Sequence, residues 1–351
     1  MSNNFRKSKR IAIFLKTHMF ENEKDKIQSE EISVVVQGPI YGSSCDKEKY
    51  RLTARCLKSI RKYLPNSKII LSTWEGSDVD GLDLDVLVVN KDPGYSSVGF
   101  FNKTDSSNRQ IISTLSGLKK VVTKYAIKVR SDMIFKGNRF IKYFFEFNRS
   151  NFDYNYKLLK QRVLVLSTSN PNKTFPVPFH MCDWFYFGLT EDLIDIFSIP
   201  FLENNTLIRG QFTTEQYLWL SFISKHKDVS YFKYYTDVSN NNIEISERYF
   251  ANNCILLPAK KVKLDWLKCP GWGYIQTPCL SIGSFYTLNE YKIMLNKYAN
   301  NKLSILPNIL ESFFYFAVYK IRVYLRKYNP KLRNIIQNIL NKIAENKRKK
   351  K

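Results

Sequence analysis

The sequence predicts an α/β protein in which helices cover both faces of a mainly parallel sheet. Short β-branched runs alternate with stretches of helical spacing, and the connections between them are short. This alternation is typical of a parallel sheet flanked by helices. Of the 351 residues, 44% are hydrophobic, which is sufficient for a large core. A basic helical extension is predicted to follow the sheet domain at the C-terminal end.

The first half of the chain supplies strands and helices in regular order. Residues 1–31 are polar and charged, and we expect them to form a flexible basic arm. The predicted strands are 32–36, 68–73, 85–89 and 125–129. The predicted helices are 52–64 and 108–124, each with apolar residues spaced along one face. Because ligands bind beyond the carboxyl ends of parallel strands, the segments after these strands are expected to form one rim.

The second half is less regular. The expected features are a strand at 163–168, a proline-rich connection at 171–178, an aromatic segment at 180–188, a helix at 216–224 and a polar turn at 240–242. Residues 32–300 are therefore expected to form one domain, followed by a basic tail at 301–351. The six cysteines lack CxxC spacing, which favours free thiols over a structural zinc site.

The formal charge of +24 requires an anionic partner or surface. Residues 320–351 contain twelve Lys or Arg and a single acid, Glu345, after an aromatic and apolar stretch at 309–325. This pattern predicts an amphipathic helix on an anionic membrane surface, and the alternative is a core helix with a solvated basic end. No apolar run approaches the roughly 20 residues that cross a bilayer, so we expect a cytoplasmic, peripherally attached protein.

Polar residues on the predicted rim suit a nucleotide. Asp132 directly follows a strand, where a carboxylate can hold Mg²⁺ or Mn²⁺ against the phosphates of a nucleoside diphosphate. Asn108 and Arg109 open a helix, where backbone N–H groups and a guanidinium favour phosphate. The other rim candidates are Gln37, Gly38, Pro39, Thr73, Glu75 and Arg130. The alternatives are that Asp132 caps a turn, Asn108 caps a helix and Arg109 is a solvated charge.

Two acids are candidates for a general base. Asp183 stands beside an aromatic run, where exclusion of water makes a carboxylate more basic and where ring faces can stack on sugars. Glu215 opens the helix predicted at 216–224. The alternatives are a hydrogen-bonded acid in a core strand for Asp183 and a helix-start charge for Glu215.

An ordered set of short segments resembles the WavE family of lipopolysaccharide synthesis proteins. The segments are VVVQGPI at 34–40, CLKSIR at 56–61, ILSTWEG at 70–76, NRQI at 108–111, KVRSD at 128–132, CDW at 182–184 and EQYL at 215–218. The resemblance covers residues 32 to about 290. It implies a glycosyltransferase with a GT-A-like, Rossmann-like fold that takes a sugar nucleotide as donor.

In that fold the acidic motif after the central strand binds the metal and the donor diphosphate, and the match here is Asp132 with Arg130 beside it. The common two-acid form of this motif is absent. The implied acceptor is a lipopolysaccharide or lipooligosaccharide core, a capsular polysaccharide, or another lipid-linked saccharide. Two alternatives remain at this stage: a nucleic-acid-binding protein that uses the high charge, although no binding motif is present, and a nucleotidyltransferase or sugar-nucleotide hydrolase on a similar fold.

Overall fold

The computed structural model describes residues 27–42, 51–95, 106–167, 170, 176–202, 212–233, 237–267 and 285–305, and the single residues Ile321, Tyr324, Tyr328, Asn329, Leu332 and Ile335. The described strands are β1 (Ile32–Gln37), β2 (Lys68–Trp74), β3 (Val86–Asn90), β4 (Tyr125–Arg130), β5 (Met133–Phe135), β6 (Val163–Leu166), β7 (Phe185–Leu189), β8 (Cys254–Leu257) and β9 (Leu264–Trp266). The described helices are α1 (Leu52–Tyr63), α2 (Ser107–Leu118), α3 (Phe140–Asn148), α4 (Thr190–Phe197), α5 (Thr214–Ser224), α6 (Asn240–Asn253), α7 (Ala259–Val262) and α8 (Leu288–Tyr298).

Seven strands form the central sheet in the order β3-β2-β1-β4-β7-β6-β8. Strands β1, β2, β3 and β4 are parallel to one another, and β6 is parallel to β8. Strand β7 runs antiparallel to both of its neighbours, β4 and β6. Strands β5 and β9 form a separate antiparallel pair. The predicted α/β class and the mostly parallel, helix-flanked sheet are confirmed, in agreement with a Rossmann-like GT-A fold.

The centre of the sheet is buried on both faces, as its continuous β-branched sequence predicts. All six residues of β1 are buried. Helix α2 packs closely on this strand because Gly117 has no side chain: a Cβ there would lie 2.4 Å from Cγ1 of Val35. This close packing fixes the N-terminus of α2 relative to the end of β1, where the candidate site lies.

Two helix boundaries differ from the sequence prediction. Helix α2 ends at Leu118, whereas the prediction extended it to residue 124, and Val122 is 81% exposed instead of facing the core. The predicted polar turn at 240–242 was wrong. These residues form the first turn of α6, because the side chain of Ser239 caps the helix by accepting a hydrogen bond from the Asn242 backbone N–H at 3.3 Å.

Other predictions concern the thiols and the ends of the chain. Cys56, Cys182 and Cys254 are free and buried, as expected. Cys45, Cys269 and Cys279 lie outside the described residues. Of the N-terminal arm, residues 27–31 are described, and Ser29–Glu31 form a 3-10 turn. Among the residues that the structure describes, no helix has both the length and the hydropathy needed to span a membrane.

Candidate functional site

A cleft of about 710 Å³ opens at the carboxyl ends of β1, β2, β3 and β4. This volume lies in the range of cavities that hold small-molecule ligands. The cleft is lined by Gln37, Gly38, Pro39, Tyr41, Trp74, Asp92, Tyr95, Ser106, Arg109, Gln110, Arg130, Ser131, Asp132, Asp183, Trp184, Phe212, Thr213, Thr214 and Glu215. Eight of the eleven residues predicted for the site are in this set, and Gln37, Arg130 and Asp132 among them were predicted by the strand-end rule.

The floor of the cleft joins the segments that follow β1 and β4. The backbone N–H of Ser131 donates to the carbonyl of Gln37 at 3.0 Å, and its hydroxyl donates to the carbonyl of Pro39 at 2.7 Å. Gly38 adopts φ +116°, and a Cβ there would lie 3.4 Å from Oγ of Ser131. Glycine is therefore required where the two segments meet. The buried side chain of Gln37 accepts a hydrogen bond from Ser113 at 2.9 Å.

Arg130 and Asp132 form a bidentate ion pair at the end of β4. The Nε of Arg130 donates to Oδ1 of Asp132 at 3.0 Å, and its Nη2 donates to Oδ2 at 2.8 Å. The indole N–H of Trp266 donates to Oδ2 of Asp132 at 3.0 Å. The Arg130 guanidinium carbon lies 5.8 Å from the ring centroid of Trp184 and 5.9 Å from that of Trp266. Asp132 is thus enclosed, while Arg130 faces the cleft.

These contacts do not fit the predicted role of Asp132 as a metal ligand. Its side chain is 1% exposed, and both carboxylate oxygens already accept charge-assisted or indole hydrogen bonds. Mg²⁺ and Mn²⁺ need several oxygen ligands with available lone pairs. Within the described ranges, no group of three or more His, Cys, Asp or Glu side chains is arranged to hold a metal ion. The contacts of Asp132 therefore do not fit its binding of a divalent cation.

Helix α2 forms a second wall of the cleft. Arg109 makes a bidentate ion pair with Asp92, with Nε 2.6 Å from Oδ1, and its guanidinium carbon lies 3.7 Å from the ring centroid of Tyr95. The predicted phosphate ligand Arg109 is therefore at the cleft but already paired. Hydrogen bonds from the Arg109 guanidinium stabilise the charged form of Asp92, which lowers the pKa of that carboxyl.

Three predicted residues lie outside the lining. The amide of Asn108 both donates to and accepts from the backbone of Leu202 at 2.8 Å, so this side chain joins two segments. Thr73 is buried, and its hydroxyl lies 3.1 Å from that of Ser77. Glu75 is exposed beyond the end of β2. Side chains alternate along a strand, so Trp74 reaches the cleft and its two neighbours do not.

The opposite wall contains Glu215, at the start of α5. The cap of this helix is a reciprocal pair in which Thr213 and Gln216 each bind the other's backbone N–H. Nε2 of His180 lies 3.5 Å from Oε2 of Glu215. Loss of solvent around Glu215 raises the pKa of its carboxyl, His180 opposes this shift, and the nearby charge of Asp183 adds to it. Glu215 is thus a carboxyl with a raised pKa in the wall of the cleft.

Asp183 is positioned through its backbone by a buried lysine. Nζ of Lys128, in the middle of β4, donates to the carbonyl of Asp183, and Gln110 approaches the same oxygen at 3.4 Å. Burial lowers the pKa of Lys128 to about 8. Lys128 is fully buried and absent from the cleft surface. The hydrogen bond from Lys128 to Asp183 holds the chain that precedes β7 against the end of β4.

Two further lining residues, Trp74 and Asp92, lie in the segments at the ends of β2 and β3 that the strand-end rule predicts to form the rim. His180 and Trp266 are outside the lining but contact the lining residues Glu215 and Asp132, and the sequence gave no signal for either contact. Trp266 reaches Asp132 across 134 positions of sequence. Pairing between β5 and β9 creates that contact, with Met133 opposite Trp266.

One comparison with known proteins identifies a family. A family model described as WavE lipopolysaccharide synthesis matches residues 32–270, which is more than half of the chain and includes every residue lining the cleft. No protein with a curated description matches the chain.

Proposed function

The chain belongs to the WavE lipopolysaccharide synthesis family, and from this premise we propose that it is a sugar-nucleotide-dependent glycosyltransferase. The observation that carries the proposal is the cleft at the carboxyl ends of the parallel strands. It places a guanidinium, Arg130, on one wall and a carboxylate with a raised pKa, Glu215, on another. Transfer between a leaving diphosphate and an attacking hydroxyl needs these two functions in one cavity.

The proposed reaction assigns a role to each wall. The acceptor hydroxyl attacks the anomeric carbon of the donor sugar, and Glu215 takes the proton of that hydroxyl. The bond between the anomeric carbon and the diphosphate oxygen breaks, and the diphosphate leaves with the electron pair. Asp183 lies at the same wall and is the second candidate for the base. Trp184, beside it, offers an indole face to a sugar ring.

The test is release of nucleotide from a panel of nucleoside diphosphate sugars by the purified full-length protein. We expect turnover of at least one donor, accelerated by a saccharide or lipid-linked acceptor. A Glu215→Gln preparation, purified in parallel, controls for contaminating hydrolases. The proposal is contradicted if no donor in the panel is hydrolysed or transferred, either with or without Mn²⁺ and Mg²⁺.

For the acceptor we propose a lipopolysaccharide core, a polysaccharide or a lipid-linked saccharide at the cytoplasmic face of the membrane. Support comes from five exposed apolar residues with helical conformation in the tail, Ile321, Tyr324, Tyr328, Leu332 and Ile335. They are 41% to 62% exposed. Spacings of three and four residues put Ile321, Tyr324 and Tyr328 on one side of a helical segment before the non-helical Asn329, and Leu332 and Ile335 are three residues apart after it. The surrounding segment, 320–351, has twelve basic residues and one acid. Apolar and basic groups together favour an anionic bilayer surface.

Deletion of residues 307–351 is expected to abolish sedimentation with anionic vesicles. The reason is that the deletion removes both the exposed apolar face and most of the local positive charge. A second variant, with Tyr324, Tyr328 and Leu332 changed to Ser, keeps every charge and is expected to bind more weakly than the intact protein. Vesicles of neutral lipid are the control. Sedimentation that the deletion leaves unchanged rules out the tail as the membrane contact.

A further inference from the structure

We infer that Arg130, held by Asp132 and flanked by two indoles, supplies the positive charge that binds the donor diphosphate, so that no divalent cation is needed there. The inference rests on the proposed function and names how its donor site recognises an anion. It follows from the disagreement between Asp132 and a metal ion. A carboxylate with both oxygens engaged by Arg130 and Trp266 is a support for the arginine.

The first step concerns the hydrogen-bonding capacity of Arg130. A guanidinium has five N–H donors in one plane. Asp132 occupies two of them, through Nε and Nη2. In the described part of the chain, the hydrogen bonds of the Arg130 guanidinium go to Asp132, and the side chain is 27% exposed on the cleft surface. The remaining donors on the exposed side suit a phosphate, which accepts two parallel N–H bonds from arginine.

The second step concerns rigidity. The Arg130 guanidinium lies within 6 Å of the ring centroids of Trp184 and Trp266, and the two rings are 5.2 Å apart. Trp266 also donates to Asp132, so the same indole contacts both members of the ion pair. An arginine fixed in this way loses little side-chain freedom on binding an anion, which favours affinity.

The third step concerns the neighbouring charges. The other cleft guanidinium, on Arg109, is paired with Asp92 and packed against Tyr95. Helices α2 and α5 both begin at the cleft, and the hydroxyls of Ser107 and Thr214 join their first turns at 2.9 Å. Helix N-termini carry partial positive charge and so reinforce an anion site that Arg130 defines.

The experiment measures binding of inorganic pyrophosphate to the full-length protein after treatment with EDTA. Trp184 and Trp266 flank Arg130, so tryptophan fluorescence reports on the site, and calorimetry gives an independent Kd. We expect binding without metal that Mn²⁺ does not tighten. Arg130→Met is expected to weaken it by roughly 10- to 100-fold, the effect of losing hydrogen bonds to a charged group. Arg130→Lys keeps the charge but not the planar fork, so its Kd is expected to lie between those of the intact protein and Arg130→Met.

The control is Arg61→Met, which removes the same charge from an arginine that pairs with Asp83 and Asp85 away from the cleft. Its Kd should equal that of the intact protein. Circular dichroism melting identifies any variant that fails to fold, and Asp132→Asn is then the second probe, expected to weaken binding by loosening Arg130. The inference is overturned if pyrophosphate binds only with Mn²⁺, fails to bind the intact protein, or binds Arg130→Met equally well.

The two proposals fail in different ways. Pyrophosphate binding that depends on Arg130, in a protein that turns over no nucleoside diphosphate sugar, keeps the anion site and removes the glycosyltransferase. Turnover of a sugar nucleotide that requires Mn²⁺, with Mn²⁺ binding lost in Asp132→Asn, keeps the glycosyltransferase and removes the role of Arg130.

Discussion

Glu215→Gln is expected to lower the rate of glycosyl transfer by about 100- to 10,000-fold, the usual contribution of a general base. The amide has nearly the shape of the carboxylate but cannot take a proton from the acceptor hydroxyl. The measurement is kcat with the preferred donor and a saturating acceptor. Because Glu215 is half-buried at the start of α5, and Thr213 caps that helix, the substitution should leave the fold intact.

The pH dependence of the same reaction tests the environment of Glu215. Burial raises the pKa of this carboxyl, His180 lowers it and Asp183 raises it. A base must be unprotonated, so transfer rises as pH increases through that pKa, above the ordinary range of a glutamate. His180→Asn removes the opposing charge and should move the acid limb to higher pH. An unmoved limb, or one shifted to lower pH, contradicts this arrangement.

His226→Asn is the matched control for that shift. The chain has three histidines, and His226 contacts Asp195 at the protein surface, 3.2 Å from its carboxylate. Its loss should leave the pH profile unchanged.

The raised pKa of Glu215 also makes the stability of the fold depend on pH. A carboxyl whose pKa is raised on folding favours the folded state at low pH, and this contribution is lost as pH rises through the folded pKa.

Arg162→Ala is expected to lower the free energy of unfolding by about 3–5 kcal/mol, among the largest effects of a single substitution. Arg162 is fully buried just before β6. It donates to the backbone carbonyls of Ala251 at 2.7 Å, Phe147 at 3.0 Å and Ser150 at 3.2 Å, and also to that of Asn151. Alanine removes the donors of these buried and partly buried carbonyls and opens a cavity.

Urea denaturation followed by circular dichroism measures this effect. Arg162→Lys keeps a positive charge but cannot reach all the carbonyls, so an intermediate loss is expected. Arg139→Ala is the matched control, because Arg139 is exposed just before α3 and makes no side-chain cap bond. Its effect should stay within about 0.5 kcal/mol. Equal stability of Arg162→Ala and Arg139→Ala excludes a structural role for the buried guanidinium.

The first four strands could be predicted because they are short apolar runs, and the fully buried β1 has a continuous β-branched sequence at residues 34–36. Once their order was known, the strand-end rule led to Gln37, Arg130 and Asp132. Helix α3 was missed because it is dense in aromatic residues, which do not separate a polar from an apolar face. The short strands β5 and β9 are three residues each, too short for a periodic signal.

The sequence predicted where the site lies better than it predicted which side chains in the site contact each other. The motif does not reveal that Arg130 and Asp132 bind each other, because Asp132 lies beyond the end of β4, where the regular alternation of strand side chains no longer applies. The partner that completes the arrangement, Trp266, comes from a distant strand. Likewise, nothing in the spacing of His180 and Glu215 predicts their contact, which depends on the path of the chain between β6 and β7.

The reversed direction of β7 has a consequence for how this site can diversify. Parallel strands contribute the residues that follow them, whereas an antiparallel strand brings the residues that precede it to the same edge, and this is how Asp183 and Trp184 arrive. The two sides of the cleft therefore depend on different connections of the chain. Insertions or replacements between β6 and β7 can reshape the side that carries Asp183 while β1 and β4 keep Gln37 and Arg130 in register. Under the proposed function, acceptor choice can thus change independently of donor binding.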